Sequence, residues 1–282
     1  MQVKFGIVVP FSDAPLTVQL ASEIEAAGWD AMFLPELVWG VDPWAQLAAA
    51  AVNTKRIRLG TMLTPLPWVR PWTLASQAAA VDHLSGGRVI VSVGLGAPDA
   101  GASGFPLPME RRARAELLDE GLNVLTGLWS GEPFEYVGKH YQLNPTSFSS
   151  SIRSEGMPPP PPPIQRPRIP IWVVGVWPSK KSVGRALRYD GLIPGIMGER
   201  RPPTADEIAE IRRFVADNRP ADQPFDIIAE GETPAHGGQE AVAPYAAAGA
   251  TWWIESRWML PSTPDGVAQL RERIAAGPPL AA

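Results

Sequence analysis

The chain has 282 residues, 45% of them hydrophobic and 19% charged, with a formal net charge of -4 and no cysteine. That length fits one large barrel domain, and the missing thiols exclude disulfides, thiolate nucleophiles and Cys-ligated zinc. An acidic balance with no basic stripe argues against nucleic acid as a partner. Met1–Pro10 lacks a signal-peptide pattern and no apolar run reaches membrane-spanning length, so a soluble cytoplasmic protein with no membrane partner is expected.

In chain order, Val3–Val9 reads as a strand and Leu16–Ala27 as a helix ended by Gly28. Asp30–Leu34 is a second strand, and Pro43–Asn53 an alanine-rich helix with proline in its first turn. Arg56–Met62 is β-branched and apolar; Pro65, Pro67 and Pro71 then break the chain before a helix over Trp72–Leu84. Ser85-Gly86-Gly87 turns into Val89–Val93, a fully apolar run suited to a parallel strand covered on both faces. Glu110–Trp129 is amphipathic. Ile169–Val174, Ser179–Arg188, Gly191–Pro194, Thr204–Asn218, Pro224–Ala229, Gln239–Ala248, Thr251–Glu255 and Pro264–Ala275 continue the alternation of strand and helix. Thr204 and Glu207 make a capping-box pattern.

Eight strands alternating with eight helices favour a closed (β/α)8 TIM barrel over residues 1–282, with an open doubly wound sheet as second choice. Gly131–Gln165 interrupts the rhythm between strands four and five. It holds a hairpin-like FEYVGKHYQL, a serine-rich stretch and the run Pro158–Pro163. Proline removes donors and locks the backbone, so the segment reads as an insertion near the barrel mouth, either a lid or a passive surface loop.

In such a barrel the site lies at the C-terminal strand ends. Ser85-Gly86-Gly87-Arg88 precedes a strand and is therefore a turn on the stability face. Gly94-Leu95-Gly96 follows that strand and faces the site, where glycine lets a flat ring approach the backbone. After the fifth strand come Gly175, then Ser179 as an N-cap, then Lys180 and Lys181. Lysines in a first helical turn oppose the helix dipole unless an anion sits there, so this start reads as a phosphate site or a solvated helix end. Trp39, Trp68, Trp177 and Trp258 fall in mouth loops with Arg70, as aromatic pocket walls or as packing. Glu36, at the end of strand two, would serve as acid or base if an apolar pocket raised its pKa. Glu230 and Glu255 end strands seven and eight. His83, His140 and His236 are scattered, which disfavours a metal-dependent hydrolase.

The ordered run TKRIRLGTMLTPLPWVRPWTLASQAAAVDHLSGGRVIVSVGLG, Thr54–Gly96, resembles the bacterial luciferase-like monooxygenase family. That resemblance implies a (β/α)8 barrel binding FMN or the deazaflavin F420, and an oxidoreductase or monooxygenase acting on a small, largely apolar organic substrate. It places the ring near Gly60, Thr61, Met62, Gly94 and Gly96, with a non-prolyl cis peptide at Thr61–Met62. The flavin phosphate would be held by Ser179 and Ser182, whose spacing matches the family's hydroxyl pair, with Gly175 and Lys180 beside them. A flavin reductase and a homodimer are further implications. Two departures stand out: Glu36 replaces the histidine of F420-using relatives, and Leu95 replaces an arginine found in some members. They keep open the alternative of a noncatalytic ligand-binding barrel that has lost its cofactor.

Overall fold

In the computed structural model, residues 3–11, 13–98, 101–144 and 161–279 are described. The strands and helices are β1 (Lys4–Val8), α1 (Ala14–Ala26), β2 (Ala31–Leu34), α2 (Pro43–Asn53), β3 (Arg58–Thr61), β4 (Thr64–Pro65), α3 (Pro71–Ser85), β5 (Val89–Gly94) and α4 (Arg111–Leu128). They continue with β6 (Tyr136–Val137), β7 (Gln142–Leu143), β8 (Ile171–Trp177), α5 (Lys180–Ala186), β9 (Gly191–Ile196) and α6 (Ala205–Asn218). The last are β10 (Asp226–Gly231), α7 (Gln239–Ala248), β11 (Trp252–Glu255) and α8 (Pro264–Ala275).

Parallel pairing runs β1-β2-β3-β5-β8-β9-β10-β11 and returns from β11 to β1, so the sheet closes. The expected (β/α)8 barrel is the observed fold. Closure leaves two apolar layers, because successive strand residues point alternately inward and outward. Inside, Phe33, Ile90, Trp172, Ile228, Trp252 and Ile254 fill the barrel. Phe33 and Trp172 approach to 5.4 Å and Trp172 meets Trp252 edge-on at 5.2 Å. Outside, residues such as Ile7, Leu59, Val91 and Val173 pack against the helices.

The N-terminal face is tied by polar contacts. Gly86 and Gly87, at φ 68° and 87°, carry the turn into β5. The Arg88 guanidinium donates to the carbonyls of Ser85, Ala51, Thr54 and Ile57 and to the Thr54 hydroxyl, all within 3.0 Å.

The excursion between α4 and β8 begins beside the mouth, where the Lys139 and His140 side chains hold Glu116 of a space described below, and ends on the opposite face. Its hairpin, β6 and β7, lies along α4, where Glu120 accepts from the backbone N–H groups of Lys139, His140 and Tyr141. Its end reaches the opposite face, where buried Asp82 accepts from Ile164 N, Gln165 N and Gln165 Nε2. The reason is topological: a loop leading from a helix into a strand must arrive at the strand's N-terminal end. Pro158, Pro159 and Pro160 and the serine-rich stretch lie outside the described residues.

Candidate functional site

At the C-terminal strand ends a cavity of about 540 Å³ opens. Its lining is largely apolar: Met62 and Leu63 from beyond β3, Val174 and Val176 from β8, Leu37 and Val38 from beyond β2, with Trp68 and Trp258. Val174 and Val176 point inward, so their neighbours Gly175 and Trp177 point outward. A Cβ on Gly175 would meet the Leu192 side chain at 2.6 Å and α5 backbone at 3.2 Å, so its bareness serves close helix packing. Trp177 packs edge-on against Phe214 and donates to Glu210 at 3.2 Å. Neither lines the cavity, contrary to the sequence expectation.

The wall beyond β5 is built around a missing side chain. Gly96 sits at φ 78°, and a Cβ there would fall 2.4 Å from the Trp68 ring. Trp68 is fixed from behind by its indole N–H on Pro108 O at 3.0 Å and by the Arg114 guanidinium, 5.6 Å from the ring centre. Buried Arg114 also donates to the carbonyls of Leu95 and Gly96 at 3.0 and 2.8 Å. Gly94 faces Leu63 and Val174 at the cavity floor. Gly60 lies deeper, in the packed interior, where a Cβ would strike Ile90 O at 2.4 Å.

The non-prolyl cis peptide is Met62–Leu63, one residue beyond the expected position. Thr61 is fully buried and bonds the Thr64 hydroxyl at 2.9 Å. Thr64 donates to Glu36 Oε2, which also accepts from Trp44 Nε1 at 3.3 Å. Glu36 lines the cavity, and burial pushes its carboxyl up to about 7 despite these bonds. Glu230 points inward from β10; burial raises its pKa while Trp258 and Ser256 hydrogen-bond to it. Glu255 points outward instead and accepts from Thr233 and Arg257.

A second space of about 710 Å³ adjoins the cavity, sharing Leu95, Arg111, Ser182 and Arg185 with it. Ser179 caps α5 by accepting from Ser182 N, and Ser182 Oγ accepts from Val176 N at 2.9 Å. Both hydroxyls keep a hydrogen to donate. Lys181 and Arg111 line this annex and have no partner among the described residues, whereas Arg185 is held bidentately by Asp119 at 2.7 and 2.9 Å. Lys180 is exposed and lines neither space, and Arg70 and Trp39 (81% exposed) do not line the cavity. Sequence reasoning missed Arg111, Arg114 and Thr64, because their contacts depend on where α4 and β4 dock.

The whole of this barrel, residues 5–276, matches the luciferase-like monooxygenase family. A Mycobacterium tuberculosis protein named as a coenzyme F420-dependent oxidoreductase is 32% identical over 181 residues, 62% of this chain and 50% of that protein. The chain therefore spans half the length of that curated relative. Two solved structures share the fold. The F420-dependent tetrahydromethanopterin reductase of Methanopyrus kandleri superposes with a TM-score of 0.73 at 16% identity, covering 98% of each chain. The oxygenating constituent of 3,6-diketocamphane monooxygenase of Pseudomonas putida, in complex with FMN, gives 0.65 at 18% identity over 88% of this chain and 73% of that one. The chain belongs to the luciferase-like monooxygenase family.

Proposed function

We propose that this chain binds FMN or F420 noncovalently and uses it to oxidise or oxygenate a small, largely apolar organic molecule. The observation that carries this reading is the joining of two unlike spaces: an apolar cavity and an annex where Arg111 and Lys181, unpaired among the described residues, lie by a serine-capped helix start. A helix N-terminus with hydroxyls and cations suits a phosphate. Ser179, Ser182, Lys181 and Arg111 would hold it, with the Arg111 guanidinium serving where Leu95 supplies no charge. Met62, Leu63, Gly96 and Trp68 would hold the ring. When bound, the flavin activates dioxygen or the deazaflavin exchanges hydride with substrate. The chain itself shields the reacting centre from water and keeps a proton on Glu36 that is exchangeable near neutral pH. A separate flavin reductase, a homodimer and a cytoplasmic location belong to the same proposal; among the described residues no helix is long and apolar enough to cross a membrane.

Titration of the purified protein with FMN, reduced FMN and F420, followed by equilibrium dialysis, tests the reading. Saturable binding of at least one is expected. Binding of none defeats the proposal and leaves a barrel without its cofactor.

A further inference from the structure

The two ends of the mouth carry opposite chemistry. Cations gather at the α4 and α5 end, where Arg111, Lys181 and Arg185 lie. At the other end, between the loops after β2 and β11, the cavity is lined by Pro35, Glu36, Leu37, Val38 and Trp258, with no lysine or arginine among them. Glu36 uses only Oε2 in its contacts to Thr64 and Trp44; Oε1 has no partner among the described residues. The charged group that acts on Glu36 is another carboxylate, Asp42, which disfavours its ionisation. Below Trp258 lies a second carboxyl, Glu230.

This end does not close over its contents. Leu37 and Trp258 line the cavity and are also exposed, at 49% and 41%, and Val41 and Met259, in the same two loops, are exposed too. Exposed apolar surface continuous with a cavity marks a ligand groove more often than a packing fault. The body of a ligand here meets hydrocarbon and aromatic surface. Its polar end meets a carboxyl oxygen without a counterion.

A carboxylate drawn into an apolar site is stabilised by a paired cation, and a second anion beside it is repelled. A phosphate or carboxylate group on the substrate is therefore disfavoured at this end, while the annex remains suited to the anionic part of a cofactor. We infer that the substrate is an amine with an apolar body, its protonated nitrogen on Glu36 Oε1 and its body against Leu37, Val38 and Trp258. The inference rests on the functional reading above for the word substrate; the binding preference is a property of this chain's own residues.

Three probes with one apolar body separate the possibilities: 4-phenylbutylamine, 4-phenylbutanol and 4-phenylbutyrate. Their affinities for the protein at pH 8 are read by calorimetry. The amine is expected to bind about tenfold or more tightly than the alcohol, the strength of one charge-assisted hydrogen bond, with the carboxylate weakest. Glu36→Gln is expected to erase the amine's advantage and leave the alcohol's affinity within about twofold, which also shows that the variant's pocket is intact. Equal binding of all three probes, preference for the carboxylate, or an amine advantage that survives Glu36→Gln overturns the inference. The same preparation is titrated with FMN and F420: cofactor binding without amine preference defeats this inference alone, and amine preference without cofactor binding defeats the functional reading alone.

Discussion

The two ends of the barrel use charged side chains in opposite ways. On the N-terminal face the guanidinium of Arg88 is saturated by five backbone and hydroxyl acceptors, and Asp82 by three donors from the returning chain. At the mouth, Arg111 and Lys181 have no partner among the described residues and Glu36 leaves one oxygen unused. Satisfied buried charges rigidify a fold. The unused Glu36 oxygen, in a cavity and on a carboxyl whose pKa burial has raised, marks where an outside molecule completes the set. A conspicuous motif such as LSGGR is thus explained entirely by internal contacts, while less conspicuous residues carry the chemistry.

The largest effect should come from breaking the saturated face. Arg88→Ala strands four carbonyls and is expected to cost about 3 kcal/mol, lowering Tm by about 5 °C; calorimetry checks this, with cofactor affinity of the folded fraction unchanged. Gly96→Ala should lower both stability and affinity. Left-handed backbone costs an L-residue about 1–2 kcal/mol, and the displaced Trp68 ring should lower cofactor affinity by about tenfold or more, measured by dialysis.

Glu36→Gln gives a pH-dependent contrast. Because the folded carboxyl titrates near 7 rather than 4.5, its stabilising contribution is complete below pH 4.5 and is lost as pH rises through 7. The variant should therefore gain about 3 kcal/mol over the parent at pH 8.5 and nothing at pH 4, as denaturant titrations at the two pH values would show. Ser182→Ala removes one hydroxyl donor from the annex and should weaken FMN or F420 binding by about 1 kcal/mol. Trp39→Ser, at an exposed rim position outside the cavity, should change stability by less than about 0.5 kcal/mol.

The barrel was legible because its apolar runs and helical periods alternate cleanly: Gln239–Ala248 and Pro264–Ala275 have the boundaries the pattern predicts. What was not legible turns on single residues. The apolar run after Pro170 continues as strand to Trp177, three residues beyond Val174, where the sequence reading ended it. That difference decides which way Gly175 and Trp177 face, since a strand turns each successive side chain to the opposite surface. The contrast between Ser182, Lys181 and the outward Lys180 is the helical equivalent: one position is 100° of rotation, and capping alone does not set it. Arg114 was invisible for another reason. Its partners, Leu95 O, Gly96 O and Trp68, are backbone and ring atoms brought to it by the docking of α4.

The anchoring of the α4–β8 excursion bears on how this chain can vary among its relatives. Glu120 holds the hairpin end through three backbone donors, and Asp82 the returning end through two backbone donors and the Gln165 side chain. Ring-closure entropy grows only with the logarithm of length, about 0.6 kcal/mol per doubling. Residues between the two anchors can thus be lengthened, shortened or replaced at little thermodynamic cost. The hairpin itself is tied to the mouth, because the Lys139 and His140 side chains hold Glu116, which lines the annex.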